Sequence, residues 1–161
     1  MNGDPEQAIA EASAADADEK ELLFRTRIEA QAYQAMGRYT EAASAFDRAG
    51  AIDSKDSALW ADIARYNVAI GNMAAALAAA DKALAHAPTS VDALTLKAVL
   101  ARDQFGLAES TRWFEAALKR TPDYVPAITE YAATLVDLGQ ASKALALTRR
   151  ALALAPGLDR P

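Results

Sequence analysis

The chain has 161 residues, a net charge of −5, one histidine and no cysteine, which excludes disulfides, zinc knuckles, thiol nucleophiles and catalytic dyads built on paired histidines. Its hydrophobic share is 52%, but 42 of its residues are alanine, so few large side chains remain and any core must come from close approach of small-faced helices. Alanine is the best helix former and Gly and Pro together number 13; the composition predicts an all-α protein.

From the N-terminus, residues 1–22 hold seven acids against Lys20, a balance of −6, and the other 139 residues carry 15 acids and 16 bases. A neutral body argues against a surface that tracks phosphates, so no nucleic-acid partner is expected. Arg outnumbers Lys 11 to 6 beside this much Ala, a composition that suggests a GC-rich bacterial source. The longest uncharged run, Tyr66 to Ala80, has 15 residues and includes Asn67, Gly71 and Asn72, too short and too polar for insertion into a bilayer. No basic start followed by an apolar run marks a signal peptide. Cytoplasmic placement is favoured, with a periplasmic one requiring that a leader or anchor has been removed.

Beyond residue 22 the chain repeats every 34 residues without a gap: 23–56, 57–90, 91–124 and 125–158, with a tail at 159–161. The eighth column reads Ala30, Ala64, Ala98, Ala132 and the twenty-seventh Ala49, Ala83, Ala117, Ala151. The twentieth is Ala42, Ala76, Ser110, Ala144, all small. Gly37, Gly71 and Gly139 share a column, as do Pro88, Pro122 and Pro156. Each repeat reads as a helix, a turn at its middle Gly, a second helix and a Pro-marked stop, with Thr89 and Ser90 placed to cap a following helix. Phe46 and Phe114 share the twenty-fourth column as large knobs, where Thr148 stands in the last copy. Breaks are predicted near 37–38, 53–55, 71–72, 87–90, 105–106, 121–124 and 139–140. Run backward, the register puts Gly3, Ala8 and Ala15 in the turn and small columns, so 1–22 reads as the second helix of an incomplete repeat. Nine helices are therefore expected.

This pattern resembles the tetratricopeptide repeat family over 23–158, with Trp60, Ala64, Gly71, Ala76, Ala83 and Pro88 the fullest single match. Phe105 in the turn-Gly column and Ser54 in the Pro column depart from it. The resemblance implies a right-handed α-solenoid of antiparallel helix pairs, four repeats preceded by a half repeat. It also implies a concave groove lined by first helices, with Phe24, Arg27, Gln31, Gln34, Ala61, Arg65, Val68, Thr95, Val99, Arg102, Thr129 and Ala133 as the peptide-binding positions. Of the residues matching the family's clamp for a terminal carboxylate, only Arg27 fits, so a chaperone-tail adaptor is not expected. The small floor (Ala58, Ala61, Ala69, Val99, Ala133) suits an apolar stretch or a ligand helix, with Arg27, Arg65 and Arg102 either meeting acidic groups of the ligand or paired with Asp62 and Asp103.

No catalytic constellation is present. His86 is read as a partly buried structural residue. Acids such as Asp16, Asp18, Glu19, Asp53 and Asp56 sit at helix starts, where they complement the helix dipole. No phosphate-loop, dinucleotide or zinc-protease motif occurs. The expectation is a non-enzymatic scaffold for a protein or peptide, with no cofactor and no metal. The alternative is a regulatory or assembly segment of a larger enzyme. Repeat arrays need polar caps, and the apolar outer face of 141–155 points to weak self-association through uncapped ends.

Overall fold

The structure, a computed structural model, describes residues 19–155. The described residues form eight helices and no strand: α1 (Glu19–Ala35), α2 (Tyr39–Ile52), α3 (Ser57–Ala69), α4 (Met73–His86), α5 (Val91–Phe105), α6 (Leu107–Arg120), α7 (Val125–Asp137) and α8 (Ala141–Leu154). Most of the helix expected over 1–22 lies outside the described residues. Its last four positions, Glu19–Leu22, begin α1 instead.

Local chemistry sets the breaks. Gly37, Gly71 and Gly139 close the first helix of their hairpins at φ of 72°, 76° and 72°, a left-handed conformation that costs residues with a Cβ far more. In the third repeat, where Phe105 occupies the turn column, α5 runs on through Phe105 and Gly106 makes the turn at φ 95°. The Asp56 side chain accepts from the Leu59 N–H to cap α3, and Ser90 accepts from Ala93 N–H at 3.3 Å to cap α5.

The chain divides into two compact units, Met1–His86 and Ala87–Pro161. In the first, α1 pairs with α2 and α3 with α4, and α3 also packs on α1 and α2. In the second, α5 to α8 repeat that plan. All twelve residues of the three small columns are buried, including Ser110, whose hydroxyl donates to Leu107 O at 2.7 Å. Around them the first unit gathers Leu23, Phe46 and Leu59, with Tyr33, Ile63 and Tyr66 against them. The second gathers Phe114, Tyr131 and Leu135, with Trp113, Leu118 and Leu138 against them. Phe114 and Tyr131 stack at 5.4 Å between centroids, and the Tyr131 hydroxyl donates to Glu115 Oε1 at 3.0 Å. Burial first, and then that bond to a carboxylate, push the Tyr131 phenol up to about 12.

Two outcomes follow from this packing. Ala98 is fully buried, so Ala98→Leu overpacks a helix contact and is expected to cost about 1–3 kcal/mol in thermal or urea unfolding; an unchanged stability would mean that the repeat register is wrong. Tyr131 supplies a pH dependence. The fold favours its neutral form, so an unfolded chain with an ordinary phenol near 10.0 loses that proton first. This contribution to stability is complete below pH 10 and is lost as the pH rises towards about 12. Urea unfolding across that range should show the decline in the wild type and a shallower one in Tyr131→Phe.

Candidate functional site

In the first unit an open concavity of about 420 Å³ lies between α1 and α3. Gln31, Gln34 and Ala35 line it from α1, and Asp62, Arg65 and Ala69 from α3. Spacings of three, four and seven residues put each set on one face of its helix. Its centre is a carboxylate. Asp62 is buried, and its Oδ2 accepts from Arg27 Nε at 2.8 Å and Nη2 at 2.7 Å, while Oδ1 lies 3.3 Å from Arg65 Nη1. Arg27 Nη1 also stands 3.6 Å from the Asp56 carboxylate that caps α3. A charge held out of water needs such partners, because an unpaired one costs several kcal/mol.

The two arginines therefore differ in duty. Arg27, with 19% of its side chain exposed, is committed to joining α1 to α3. Arg65 is 43% exposed, is steadied by Asp62 and lines the concavity. No hydrogen bond among the described residues holds the side-chain amides of Gln31 or Gln34, so both keep donors and acceptors for a guest. Of the expected small floor, Ala69 lines this region beside Ala35, with four polar side chains around them.

The remaining expected positions scatter. Ala61 is 1% exposed and Thr95 7% exposed, so both belong to helix packing and not to a surface a peptide can reach. The Thr95 hydroxyl is also occupied, donating to Val91 O at 2.7 Å. Val99 packs on the core of the second unit. Phe24 and Val68 are exposed but do not line the concavity. Arg102 pairs with Asp103 and Glu130 and donates to Thr134 Oγ1 at 3.3 Å, so it ties α5 to α7. Thr129 and Ala133 line a separate cleft of about 370 Å³ in the second unit, with Ala132, Val136, Thr148, Ala151 and Leu152. Beside it Leu145 and Leu154 are exposed. His86, expected to be partly buried, is exposed because it ends α4.

Asp62 was the residue that position-by-position reasoning left out of the site. Its signal was present: an acid one column after the Arg27 column, one repeat later. Among the described residues no cluster of three or more His, Cys, Asp or Glu is placed to hold a metal ion, and no helix is long and apolar enough to cross a membrane.

Removing either arginine tests this division of duties. Arg27→Ala leaves the buried Asp62 carboxylate with Arg65 alone and is expected to cost about 1–3 kcal/mol. Arg65→Ala leaves the Arg27 pair intact and should change stability by less than about 0.5 kcal/mol. Chemical unfolding of both variants decides it, and equal losses would contradict the assignment.

The family model for the tetratricopeptide repeat matches residues 33–100. No curated protein matches the chain by sequence. Solved structures match over most of its length. PilW, a widely conserved type IV pilus biogenesis factor, shares 22% identity over 97% of this chain and 72% of its own, with a TM-score of 0.78. YrrB, a repeat protein with an unusual peptide-binding site, shares 18% over 96% and 79%, with a TM-score of 0.66. The first repeat domain of Spaghetti (RPAP3), bound to the HSP90 peptide SRMEEVD, shares 18% over 73% and 95%, also at 0.66. At such identities the likeness is one of fold. Residues 33–100 thus carry tetratricopeptide repeats by the matched model, and the 34-residue columns and the shared fold extend the same helical-repeat plan along the chain.

Proposed function

We propose that the chain is a non-enzymatic interaction module that takes an extended peptide segment of a partner protein across the α1–α3 concavity. The observation that carries this reading is the Gln31–Gln34–Arg65 set around the buried Asp62. Two amides without partners among the described residues suit the alternating N–H and C=O groups of an extended backbone. A guanidinium already oriented by Asp62 suits one acidic group, because less side-chain freedom is lost when the ligand arrives. YrrB and the Spaghetti domain, which share the fold, have a peptide-binding site and a bound peptide respectively; both support a peptide ligand here. Arg65, steadied from beneath, is the residue on which affinity should depend.

The test uses a peptide selected on the full chain from a random displayed library, titrated calorimetrically. Arg65→Ala should weaken that peptide by roughly 10- to 150-fold, the ~1.5–3 kcal/mol of a charge-assisted hydrogen bond. Arg38→Ala should leave affinity unchanged, since Arg38 lies in the turn before α2 and pairs with Glu41 at 2.8 Å. Equal affinity for the wild type and Arg65→Ala would remove the concavity from the binding mechanism.

A further inference from the structure

A second opening in the first unit, about 310 Å³, lies between α2 and α3 and uses a different face of α3 from the concavity. Its walls are aromatic and apolar, with Phe46, Trp60, Ile63 and Tyr66, and its polar edge is Asp47 and Asn67. Gly50 is part of its lining. That residue's column reads Gly50, Leu84, Leu118, Leu152, so glycine stands alone where the other repeats carry leucine. Neither turn geometry nor crowding requires it: Gly50 lies within α2, shows no positive φ, and a Cβ added there meets nothing within 4 Å. Inside a helix such a glycine costs roughly 1 kcal/mol relative to alanine.

The second unit fills the same columns with other residues. Leu118 fills the Gly50 column and packs on the core. Glu115, in the Asp47 column, accepts from the Tyr131 hydroxyl at 3.0 Å, and Phe114, in the Phe46 column, stacks on Tyr131. In the first unit Ile63 occupies the Tyr131 column and has no hydroxyl to offer. Among the described residues nothing hydrogen-bonds or pairs with the Asp47 carboxylate.

The unused hydrogen-bonding capacity of this cleft is mainly that of acceptors. The Asn67 amide gives one of its two N–H groups to Ile63 O at 2.8 Å and keeps its carbonyl oxygen as an acceptor. Trp60 Nε1 is already spent on Ser54 O at 2.7 Å, and the Tyr66 hydroxyl on Tyr39 O at 3.1 Å. Aromatic faces attract cations, and Trp60 already holds one, Lys82 Nζ at 4.0 Å from its ring centroid, outside the cleft.

We propose that the α2–α3 cleft binds an arginine side chain of a partner protein. The guest must bring donors and positive charge, an apolar stem and a flat head that lies against rings. A guanidinium has five donors in a plane, stacks on aromatic faces and pairs with a carboxylate in a fork that an ammonium lacks. Its stem would lie along Ile63 and Phe46, its head against Trp60 or Tyr66, and its N–H groups would reach Asp47 and Asn67. A volume near 310 Å³ is at the small end of ligand pockets and suits one long side chain.

The probe is the capped tripeptide acetyl-Ala-Arg-Ala-amide, titrated into the ¹⁵N-labelled full chain, with its neutral citrulline twin as comparison. The arginine peptide should shift the Gly50 amide, the Trp60 indole and the Asn67 side chain saturably, and the citrulline twin should bind about tenfold more weakly or worse. Gly50→Leu installs the residue the other repeats carry; it should raise the melting temperature and abolish these shifts. Asp47→Asn should keep the fold and weaken binding by about tenfold, and Arg65→Ala should leave binding unchanged. The proposal is overturned if the arginine peptide gives no saturable shift at these residues, if citrulline binds equally well, or if binding survives Gly50→Leu.

Discussion

Close approach of helix backbones is the constraint on which this protein depends. Three columns of small residues, all buried, let both helices of a hairpin, and the next first helix, touch with little between them. Each alanine removes little area from water, so cohesion comes from many dense contacts and not from a few large side chains. The same constraint rations bulk. Where helices lie this close, a large residue fits only in the gaps the columns leave. Phe46 and Phe114 occupy such gaps, the first beside Tyr66 at 5.4 Å and the second stacked on Tyr131. Alanine-rich packing thus confines polar and aromatic chemistry to a small number of places.

The helical plan was legible in the sequence because its signals are local. Glycine at positive φ, proline after a helix and Asp56 or Ser90 before one each act within a few residues, so a 34-residue ruler finds them. Where a signal moved by one residue, as at Phe105 and Gly106, the turn moved with it. The start of α1 was less legible. Glu19–Leu22 lie outside the repeat frame, but α1 extends back over them, since nothing in Glu-Lys-Glu-Leu breaks a helix.

The candidate site was legible in outline, and pairing of its arginines with Asp62 and Asp103 was one of the two readings the sequence offered. Assigning ligand positions by column treats each first helix alone, whereas Arg27 meets Asp62 35 residues later and Arg102 meets Glu130 28 residues later. Such pairs depend on how one repeat leans on the next within its unit, which no single column states. The same blindness made Ala61 and Thr95 look accessible. Both are buried in the helix packing. Arg65 meets Asp62, three residues before it, and keeps 43% of its side chain exposed.

Departures from the repeat are informative for a physical reason. A column that carries the same residue type in each copy is satisfied by packing, and packing explains it fully. A column that breaks the pattern at an energetic cost needs another account. Gly50 forgoes helix propensity and apolar contact where leucine stands in three other copies. The difference is not confined to volume, because the neighbouring acid, Asp47, shares the cleft with Ile63, where the second unit carries Tyr131. Either change alone would leave a small defect: a void beside a paired acid, or an unpaired acid beside a filled gap. Together they give the first unit a cleft with apolar walls and the Asp47 and Asn67 acceptors at its edge. In the second unit Leu118 and the Tyr131–Glu115 bond complete the same ground. Two copies of one packing plan have thus diverged, one filled from within and the other open to a guest from outside.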